Sequence, residues 1–302
     1  MKSTITITQI AQESGVSVAT VSRFLNGKVP VSADKKARIE AVVRKYDFTP
    51  NALARGLISK RTMTLGVILP DITNPYFATI FQEVQRCAAE EGYSVYLCNT
   101  RFHHGDAPID ETGYFRMMMD KKVDGILIIG GQLDMVEITP AYKEALNRLS
   151  ASLPVVAGRE ISGAGCIFID SENGSGVTTA YNYLSSLGHK DIAFVGGQPG
   201  VTITETRLES YKKAAAASGR EIREDLISLS DYYLPDGYQA AEALISRNAP
   251  FTAVITMNDN VALGAIRAFA DHGLSVPRDV ALISCDRFYF ADYTIPRLTS
   301  IH

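Results

Sequence analysis

The sequence predicts an α/β protein in which a small helical module precedes a larger part built on parallel sheets. From residue 64 onward, short apolar runs such as 64–70 and 124–131 alternate with longer helical stretches such as 77–92. This alternation is typical of strands joined by helical crossovers, which form parallel sheets covered on both faces. The first sixty residues instead place apolar residues at helical spacing, which predicts a separate helical module.

The rhythm of strands and helices runs twice, and this repetition predicts two lobes. The first set covers residues 64–170, and the second restarts at 191–197 and ends with the run at 279–286. Two such sets leave a cleft between them. Ligands of open α/β sheets bind beyond the carboxyl ends of the strands, so the cleft is where a ligand site is expected.

Three short helices are predicted in the first module. Gly15 ends the first helix, and Ser17 and Ser32 stand at the N-cap positions of the next two. The tight turn between the first two helices makes this module a helix-turn-helix. The side chains predicted to face inward are Ile7, Ile10 and Ala11, then Val21, Phe24 and Leu25, and finally Ile39, Val42, Val43 and Tyr46.

The outer face of the second helix is short and polar, with one arginine. It carries Val18, Ala19, Ser22, Arg23 and Asn26. A helix that enters a major groove needs short side chains for close approach, and a single guanidinium can read guanine. A generic helical bundle would share the inner stripe but would not need this outer face, so DNA binding is favoured.

Charge is divided unevenly along the chain. Residues 1–61 carry 11 Lys and Arg against 4 acids, a net of +7, and the total of −3 leaves −10 for the remainder. A basic module joined to an acidic one favours an anionic polymer as partner at one end, and a solvated basic surface is the alternative.

Polar and aromatic side chains follow several of the predicted strands. They are Asp71, Asn74, Tyr76 and Phe77 after the first strand, then Arg207, Tyr232, Asn258 and Asp286 after strands of the second set. Carboxylates and amides can hydrogen-bond hydroxyl groups, and rings can stack on apolar faces, so a small polyol or sugar is expected. For Asn258, capping of the following helix is an equal alternative.

No catalytic, cofactor or metal site is predicted. The chain lacks the P-loop, dinucleotide and nucleophile-elbow patterns. His103, His104 and Asp106 are read as a solvated loop rather than as metal ligands. Buried thiols in a reducing compartment are expected for the four widely spaced cysteines, Cys87, Cys98, Cys166 and Cys285.

The ends and apolar segments of the chain predict a cytoplasmic protein. The N-terminus lacks the continuous apolar region of an export signal. No segment of membrane-spanning length is apolar throughout, so no membrane partner is expected.

The stretches ITQIAQESGVSVATVSRFLNG and VSADKKARIEAVVRKYDFTPNALARGL resemble the LacI/GalR family of bacterial transcription regulators, and the likeness covers essentially the whole chain. It implies a lambda-repressor-like domain and a two-lobed periplasmic-binding-protein-like domain. It also implies a homodimer on palindromic operator DNA, controlled by a sugar or sugar derivative. In the second helix, it implies that Val18, Ala19 and Arg23 read bases and that phosphates lie near Ser17, Thr20, Ser22 and Asn26.

The segment at 51–61 is short, follows Pro50 and has little apolar surface to bury. An isolated helix of this length is marginal in water, and a flexible linker is the alternative. The resemblance implies a hinge helix that orders on DNA, with Asn51, Ala54 and Arg55 against it. Leu57 would wedge into the minor groove and kink the duplex.

The resemblance also bears on the cleft. It implies that Arg207 and Asp286 hold the effector, and it matches Tyr76, Phe77 and Tyr232 to aromatic positions. Where many relatives carry a second acid, this chain has Arg287. Arg207 and Arg287 together prompt the hypothesis of a negatively charged sugar.

The predicted division of the chain has five segments. They are the helix-turn-helix domain at 1–49, the hinge at 50–61, the first lobe at 62–172, the second lobe at 173–291, and the start of a return crossover to the first lobe at 292–302. This last crossover is expected to be incomplete, because the resemblance implies a further strand, helix and strand.

Two other classes of protein share part of this pattern. A transport binding protein would share the two lobes but would need an export signal and no helix-turn-helix. A sugar-metabolising α/β enzyme would need a catalytic pair. The sequence therefore favours a DNA-binding regulator, most simply a repressor, without catalytic activity; whether the ligand induces or corepresses stays open.

Overall fold

The helical module forms a unit of its own. The computed structural model describes residues 5–26, 31–48, 61–101 and 110–301, and the chain divides into the units Met1–Thr62 and Met63–His302. The first unit contains α1 (Ile7–Ser14), α2 (Val18–Asn26) and α3 (Ala33–Lys45). This confirms the three predicted helices. Their core consists of the buried side chains Ile5, Ile10, Ala11, Val21, Ile39 and Val42.

Local signals set the ends of these helices. Gly15 follows α1 with φ of 65°, a left-handed conformation that glycine adopts without strain. The Ser17 hydroxyl accepts a hydrogen bond from the Thr20 backbone N–H at 3.2 Å, as expected of an N-cap. Ser32 stands at the N-cap of α3 but makes no side-chain capping bond.

Tyr46 does not face the core, which corrects the prediction for the third helix. Its ring is exposed, and its hydroxyl donates to the Glu13 carboxylate at 2.6 Å. Lys45 donates to the same carboxylate at 3.0 Å. The polar hydroxyl thus finds a charged partner at the surface and ties the end of α3 to α1.

The second unit contains two parallel sheets, as predicted. The strands of the first sheet are β1 (Thr64–Leu69), β2 (Ser94–Asn99), β3 (Gly125–Ile128), β4 (Val155–Ala157) and β5 (Ile167–Phe168), in the order β2-β1-β3-β4-β5. Those of the second are β6 (Ile192–Val195), β7 (Ile227–Ser228), β8 (Ala253–Thr256), β9 (Ala281–Cys285) and β10 (Thr299–Ile301), in the order β10-β9-β8-β6-β7.

Helices connect the strands and cover the sheets. In the first lobe they are α4 (Pro75–Glu90), α5 (Glu111–Asp120) and α6 (Pro140–Ser152). In the second lobe they are α7 (Ser175–Ser186), α8 (Thr202–Ala217), α9 (Leu234–Ser246) and α10 (Asp259–Asp271). Each lobe has its own apolar core, which holds the carboxyl ends of its strands in place.

Helices α9 and α10 approach each other at two buried glycines. A Cβ at Gly264 would stand 2.1 Å from the Leu234 carbonyl oxygen, and one at Gly237 would stand 2.3 Å from the Val261 carbonyl oxygen. Only glycine permits this spacing. The close packing fixes the segments that precede both helices, which carry Tyr232 and Asn258.

The end of the chain differs from what we expected. Residues 292–302 were expected to begin a return to the first lobe, but Thr299–Ile301 pairs in parallel with β9 of the second sheet. The β9 edge offers backbone hydrogen-bond partners to this extended segment, so the described part of it extends the second lobe.

The cysteines are only partly as predicted. All four are free thiols; Cys98 and Cys285 are buried and Cys166 is partly buried. Cys87 is exposed, because it lies on the outer face of α4.

Within the described ranges, no helix is both long and apolar enough to cross a membrane, and no three metal-ligating side chains lie together. His103, His104 and Asp106 lie outside the described residues.

Candidate functional site

The outer face of α2 presents the side chains that the sequence assigned to base reading. Val18 is 43% exposed, and Ala19 and Arg23 are exposed as well, while Val21 on the opposite face is fully buried. The helix therefore separates a core stripe from a surface of short side chains and one guanidinium. Such a surface matches the steric demands of a major groove.

The structure describes only some of the residues predicted to contact DNA. The Ser17 and Thr20 hydroxyls lie 2.8 Å apart at the start of α2, and Ser22 is half-buried. The Asn26 side chain is not described, and Asn51, Ala54, Arg55 and Leu57 lie outside the described residues. Their DNA contacts stay predictions.

A cavity of about 900 Å³ lies between the two lobes of the second unit. Seven of the eight predicted effector residues line it: Asn74, Tyr76, Phe77, Arg207, Tyr232, Asn258 and Asp286. They come from loops far apart in sequence, and the carboxyl ends of parallel strands bring them together. The cavity is large enough for a small sugar.

Asp71 is the exception, because its carboxylate serves the fold. It accepts from the Thr73 backbone N–H at 2.8 Å and from the Thr73 hydroxyl at 2.7 Å, which closes a turn. It also bonds the Tyr233 hydroxyl, and it is not among the residues that line the cavity. Asp71 thus lies outside the described lining, and its role as an effector ligand stays a prediction.

Arg207 and Asp286 form a two-pronged ion pair on the cavity wall. Arg207 Nη2 donates to Asp286 Oδ1 at 2.5 Å, and Nη1 lies 3.3 Å from Oδ2 and 2.5 Å from the Met257 carbonyl oxygen. Arg207 is only 6% exposed. Asp286 has φ of 64°, a strained conformation for a residue with a Cβ, and the ion pair holds it there.

Asn258 caps a helix, and its role as an effector ligand stays a prediction. Its side-chain oxygen accepts from the Val261 N–H at 2.9 Å and caps α10. Its amide nitrogen donates to the Tyr232 carbonyl at 3.0 Å, and its side chain also lines the cavity. The Tyr232 hydroxyl lies 2.7 Å from that of Thr204, and burial raises the pKa of Tyr232.

Aromatic rings form another part of the wall. Tyr76 and Phe77 meet edge to face with centroids 5.1 Å apart. Asn74 caps α4 by accepting from the Tyr76 N–H at 3.1 Å, which places both rings at the cavity. This apolar surface suits the C–H face of a ring-shaped ligand.

Several cavity residues were missed by the sequence analysis, among them Arg101, Asp134 and Arg159. Arg101 pairs with Asp231 at 3.1 Å and so joins the first lobe to the second. Each of the three follows a strand of the first sheet. The residues that follow β2, β3 and β4 in the sequence would have identified them, just as the residues after the first strand identified Asn74, Tyr76 and Phe77.

Arg159 also joins the two lobes. It donates to the Leu133 and Met135 carbonyl oxygens at 2.7 and 3.0 Å, and to the Thr202 hydroxyl at 2.6 Å. Backbone pairing of Met135 with Val201 lies beside it. These contacts and the Arg101–Asp231 pair connect the lobes around the cavity.

A buried acid, Glu111, and a half-buried one, Asp134, shape the loop after β3. Glu111 accepts from the Gln132 N–H at 2.8 Å and from the Tyr142 hydroxyl at 2.7 Å, while burial raises its pKa. Burial raises the pKa of Asp134 to about 6; the Arg159 charge opposes this rise and the Asp170 charge adds to it. Glu111 thereby holds the loop that presents Asp134 to the cavity.

Arg287 does not join Arg207 in the cavity. Its guanidinium donates to Asp292 at 2.5 Å on the surface, and it is not among the lining residues. The basis for a negatively charged sugar is therefore removed, because Arg287 is paired outside and Arg207 is neutralised by Asp286.

Two protein-family models match this chain, one over the helical unit and one over the two-lobed unit. The family model described as "Bacterial regulatory proteins, lacI family" matches residues 6–51. The model described as "Periplasmic binding proteins and sugar binding domain of LacI family" matches residues 62–295.

Relatives match over nearly the full chain. Catabolite control protein A of Priestia megaterium is 33% identical over 98% of this chain and 87% of its own. The transcriptional repressor PurR of Vibrio campbellii is 32% identical over 98% and 86%.

Solved structures match as well. The complex of the transcriptional regulator CelR with cellobiose has a TM-score of 0.68 and 26% identity, covering 98% of this chain and 87% of that one. The lac repressor dimer bound to operator shares the fold, with a TM-score of 0.83 at 22% identity over 99% and 87%. With its helix-turn-helix unit and its two-lobed unit, the chain belongs to the LacI family of bacterial transcription regulators.

Proposed function

We propose that this protein is a transcriptional repressor whose affinity for operator DNA is set by a small carbohydrate bound between its two lobes. The observation that carries this proposal is the cavity of about 900 Å³, where seven separately predicted residues converge in a chain that also has an exposed helix-turn-helix face. The cellobiose in the related regulator supports a carbohydrate as ligand class. No catalytic role is proposed, and the site of action is the bacterial cytoplasm.

On the DNA side, the proposed unit is a homodimer on a palindromic operator. Two α2 helices would enter successive major-groove half-sites, and Arg23 would read a guanine in each. Ser17, Thr20, Ser22 and Asn26 would stay close to phosphates. This arrangement uses the face of α2 that the core leaves exposed.

The segment around Leu57 is proposed to act at the operator centre. Paired Leu57 side chains would wedge into the minor groove, with Asn51, Ala54 and Arg55 beside them. Leu57→Ala is expected to reduce DNA bending in a circular-permutation assay while ligand binding stays intact. Unchanged bending would contradict the wedge.

On the ligand side, the proposed mechanism is a shift between lobe arrangements. A ligand that touches both walls of the cavity binds one arrangement better, and only this difference moves the equilibrium. Coupling between two sites is typically about 1–3 kcal/mol, a change of about 5–150-fold in operator affinity. Contacts that already join the lobes, such as Arg159 to Thr202, define the arrangement that the ligand would stabilise or open.

The experiment has two stages. Sequences bound by the purified full-length chain are selected from random DNA, and binding to the selected duplex is then measured by fluorescence anisotropy against a panel of sugars. The expected result is a palindromic consensus and at least one sugar that changes the dissociation constant at least fivefold. A selection without symmetry, or a panel without effect, would contradict the proposal.

A transport binding protein is the runner-up, since it would share the two-lobed unit. The helical unit argues against it, because its exposed α2 face has no use in carrying a solute.

A further inference from the structure

The described lining of the cavity is acidic. Among the residues that the structure describes, it includes six carboxylates against three guanidinium groups, a formal excess of three negative charges. For a site between two lobes this balance is informative, because a ligand that enters must share a low-dielectric space with these charges.

The three guanidinium groups are largely committed to the protein. Arg207 is paired with Asp286 through both terminal nitrogens. Arg101 is paired with Asp231. Arg159 donates from all three of its nitrogens to the chain around it. None of these three cations is therefore left to neutralise an anionic ligand.

Asp134 is in the opposite situation. It is half-buried on the short 3₁₀ helix at Gly131–Asp134, and within the described ranges it makes no direct hydrogen bond or ion pair. Burial raises the pKa of Asp134; the Arg159 charge opposes this rise, and the charge of Asp170, which follows β5 and also lines the cavity, adds to it. Two carboxylates thus line the same cavity, and a half-buried carboxylate without a hydrogen-bond partner is costly.

Aromatic rings line another part of the cavity. Tyr76 and Phe77 both contribute to its wall, with ring centroids 5.1 Å apart. An occupant that meets both the carboxylates and these rings therefore combines a charged or polar group with an apolar face.

We propose that the effector is an amino sugar, whose protonated amine is held by Asp134 and Asp170. This inference rests on the proposed function and names its ligand class. An ammonium group donates charge-assisted hydrogen bonds to carboxylates and removes their mutual repulsion. The ring carbons of the same sugar would face Tyr76 and Phe77.

The test uses matched sugars on the full-length protein. Isothermal titration at pH 7.5 compares glucose, galactose and mannose with their 2-amino-2-deoxy forms and with their uronic acids. An amino sugar is expected to bind at least tenfold more tightly than its neutral parent, and the uronic acid most weakly. A neutral sugar or a uronic acid that binds as tightly as the amino form would overturn this inference and leave the carbohydrate proposal standing. Failure of every sugar would overturn both.

Variants assign the preference to the two carboxylates. Asp134→Asn is expected to reduce the ratio between amino and neutral forms to less than threefold. Glu137→Gln, which removes one charge from an exposed residue outside the lining, is expected to keep the full ratio. Asp170→Asn, at an exposed position, provides a second reading if Asp134→Asn does not fold. An unchanged ratio in both aspartate variants would overturn the assignment.

Discussion

The two candidate functional regions differ in how their charges are treated. On α2, Arg23 is exposed, and the unit's core lies on the opposite side of the helix. In the cleft, Arg207 and Arg101 are paired with Asp286 and Asp231 from other elements. The guanidinium on the helical face is thus free to meet a partner, whereas these two arginines of the cleft are already paired before a ligand enters.

This difference predicts which substitutions change function alone and which change function and stability together. Removing a side chain from the α2 face should affect recognition alone, because little of the fold rests on it. Removing one from the cleft should affect both ligand binding and the free energy of unfolding, because the same side chains hold the loops in place. Variants in the two regions therefore test this difference.

The largest effect is expected for Asp286→Ala. It leaves Arg207 buried without its carboxylate partner, and breaking a buried pair from one side costs about 3–5 kcal/mol. Chemical denaturation should show this loss, and calorimetry should show no response to the ligand, while operator binding by the folded protein is kept. The control is the double variant that combines Arg207→Ala with Asp286→Ala. It should recover part of the stability, because both charges of the buried pair are removed. A single variant as stable as the parent protein would contradict the account.

A smaller loss is expected for Glu111→Ala. The Tyr142 hydroxyl and the Gln132 N–H would lose their shared acceptor, and an unsatisfied buried polar group costs about 1–3 kcal/mol. Denaturation should report the loss, with weaker ligand binding because the loop before Asp134 is released. Glu111→Gln keeps an acceptor and should cost less stability. If the two variants lost equal stability, the lost hydrogen bonds would not explain the effect of Glu111→Ala.

On the helical face, Arg23→Ala should act on recognition without acting on the fold. Loss of a guanine contact costs about 1–3 kcal/mol in discrimination at one base pair. Anisotropy against operators changed at single positions measures it, with an unchanged melting temperature. Arg44→Ala, at an exposed position on α3, is the control and should leave base preference unchanged. If Arg23→Ala weakened binding to specific and random DNA equally, Arg23 would contact only a phosphate.

The smallest effect expected is a pH dependence at Asp134. Its pKa is raised to about 6, so between roughly pH 4 and 6 the folded protein binds this proton more strongly than the unfolded chain does. The stability that this proton contributes is present at low pH and is lost as the pH rises through that window. Asp134→Asn does not titrate, and its half-buried position suggests a gain of about 1 kcal/mol over the parent protein at pH 7.5. Denaturation curves at pH 4.5 and 7.5 should show a larger gain at the higher pH; a constant difference would contradict the assignment.

The sequence predicted much of this fold because local patterns encode it. The helices of the first unit follow from their apolar spacing and from Gly15 and Ser17, and the parallel strands follow from their continuous apolar runs. Tyr46 was misplaced because periodicity counts its ring as apolar and ignores the hydroxyl that finds Glu13. The pairing of β10 with β9 was missed because strand partners far apart in sequence leave no local signal.

In the cleft, sequence rules identified positions but not partners. Arg207 and Asp286 were predicted at the cavity, but a chain separation of 79 residues hides the fact that they neutralise each other. Arg287, next to Asp286 in sequence, points instead to Asp292. Charge balance in a cavity is a property of the assembled loops, and it removes the basis for the acidic-sugar hypothesis while leaving a sugar or sugar derivative as the expected ligand class.

The central claim is that the helical unit grips symmetric duplex DNA and that a ligand in the cleft tunes this grip. Anisotropy titration of the full-length chain with its selected operator, with and without saturating amino sugar, tests it most directly. We expect two chains per duplex, strong weakening by salt and at least a fivefold change in the dissociation constant with the ligand. Failure to bind any duplex at low salt, or identical affinity in both states, would contradict the claim.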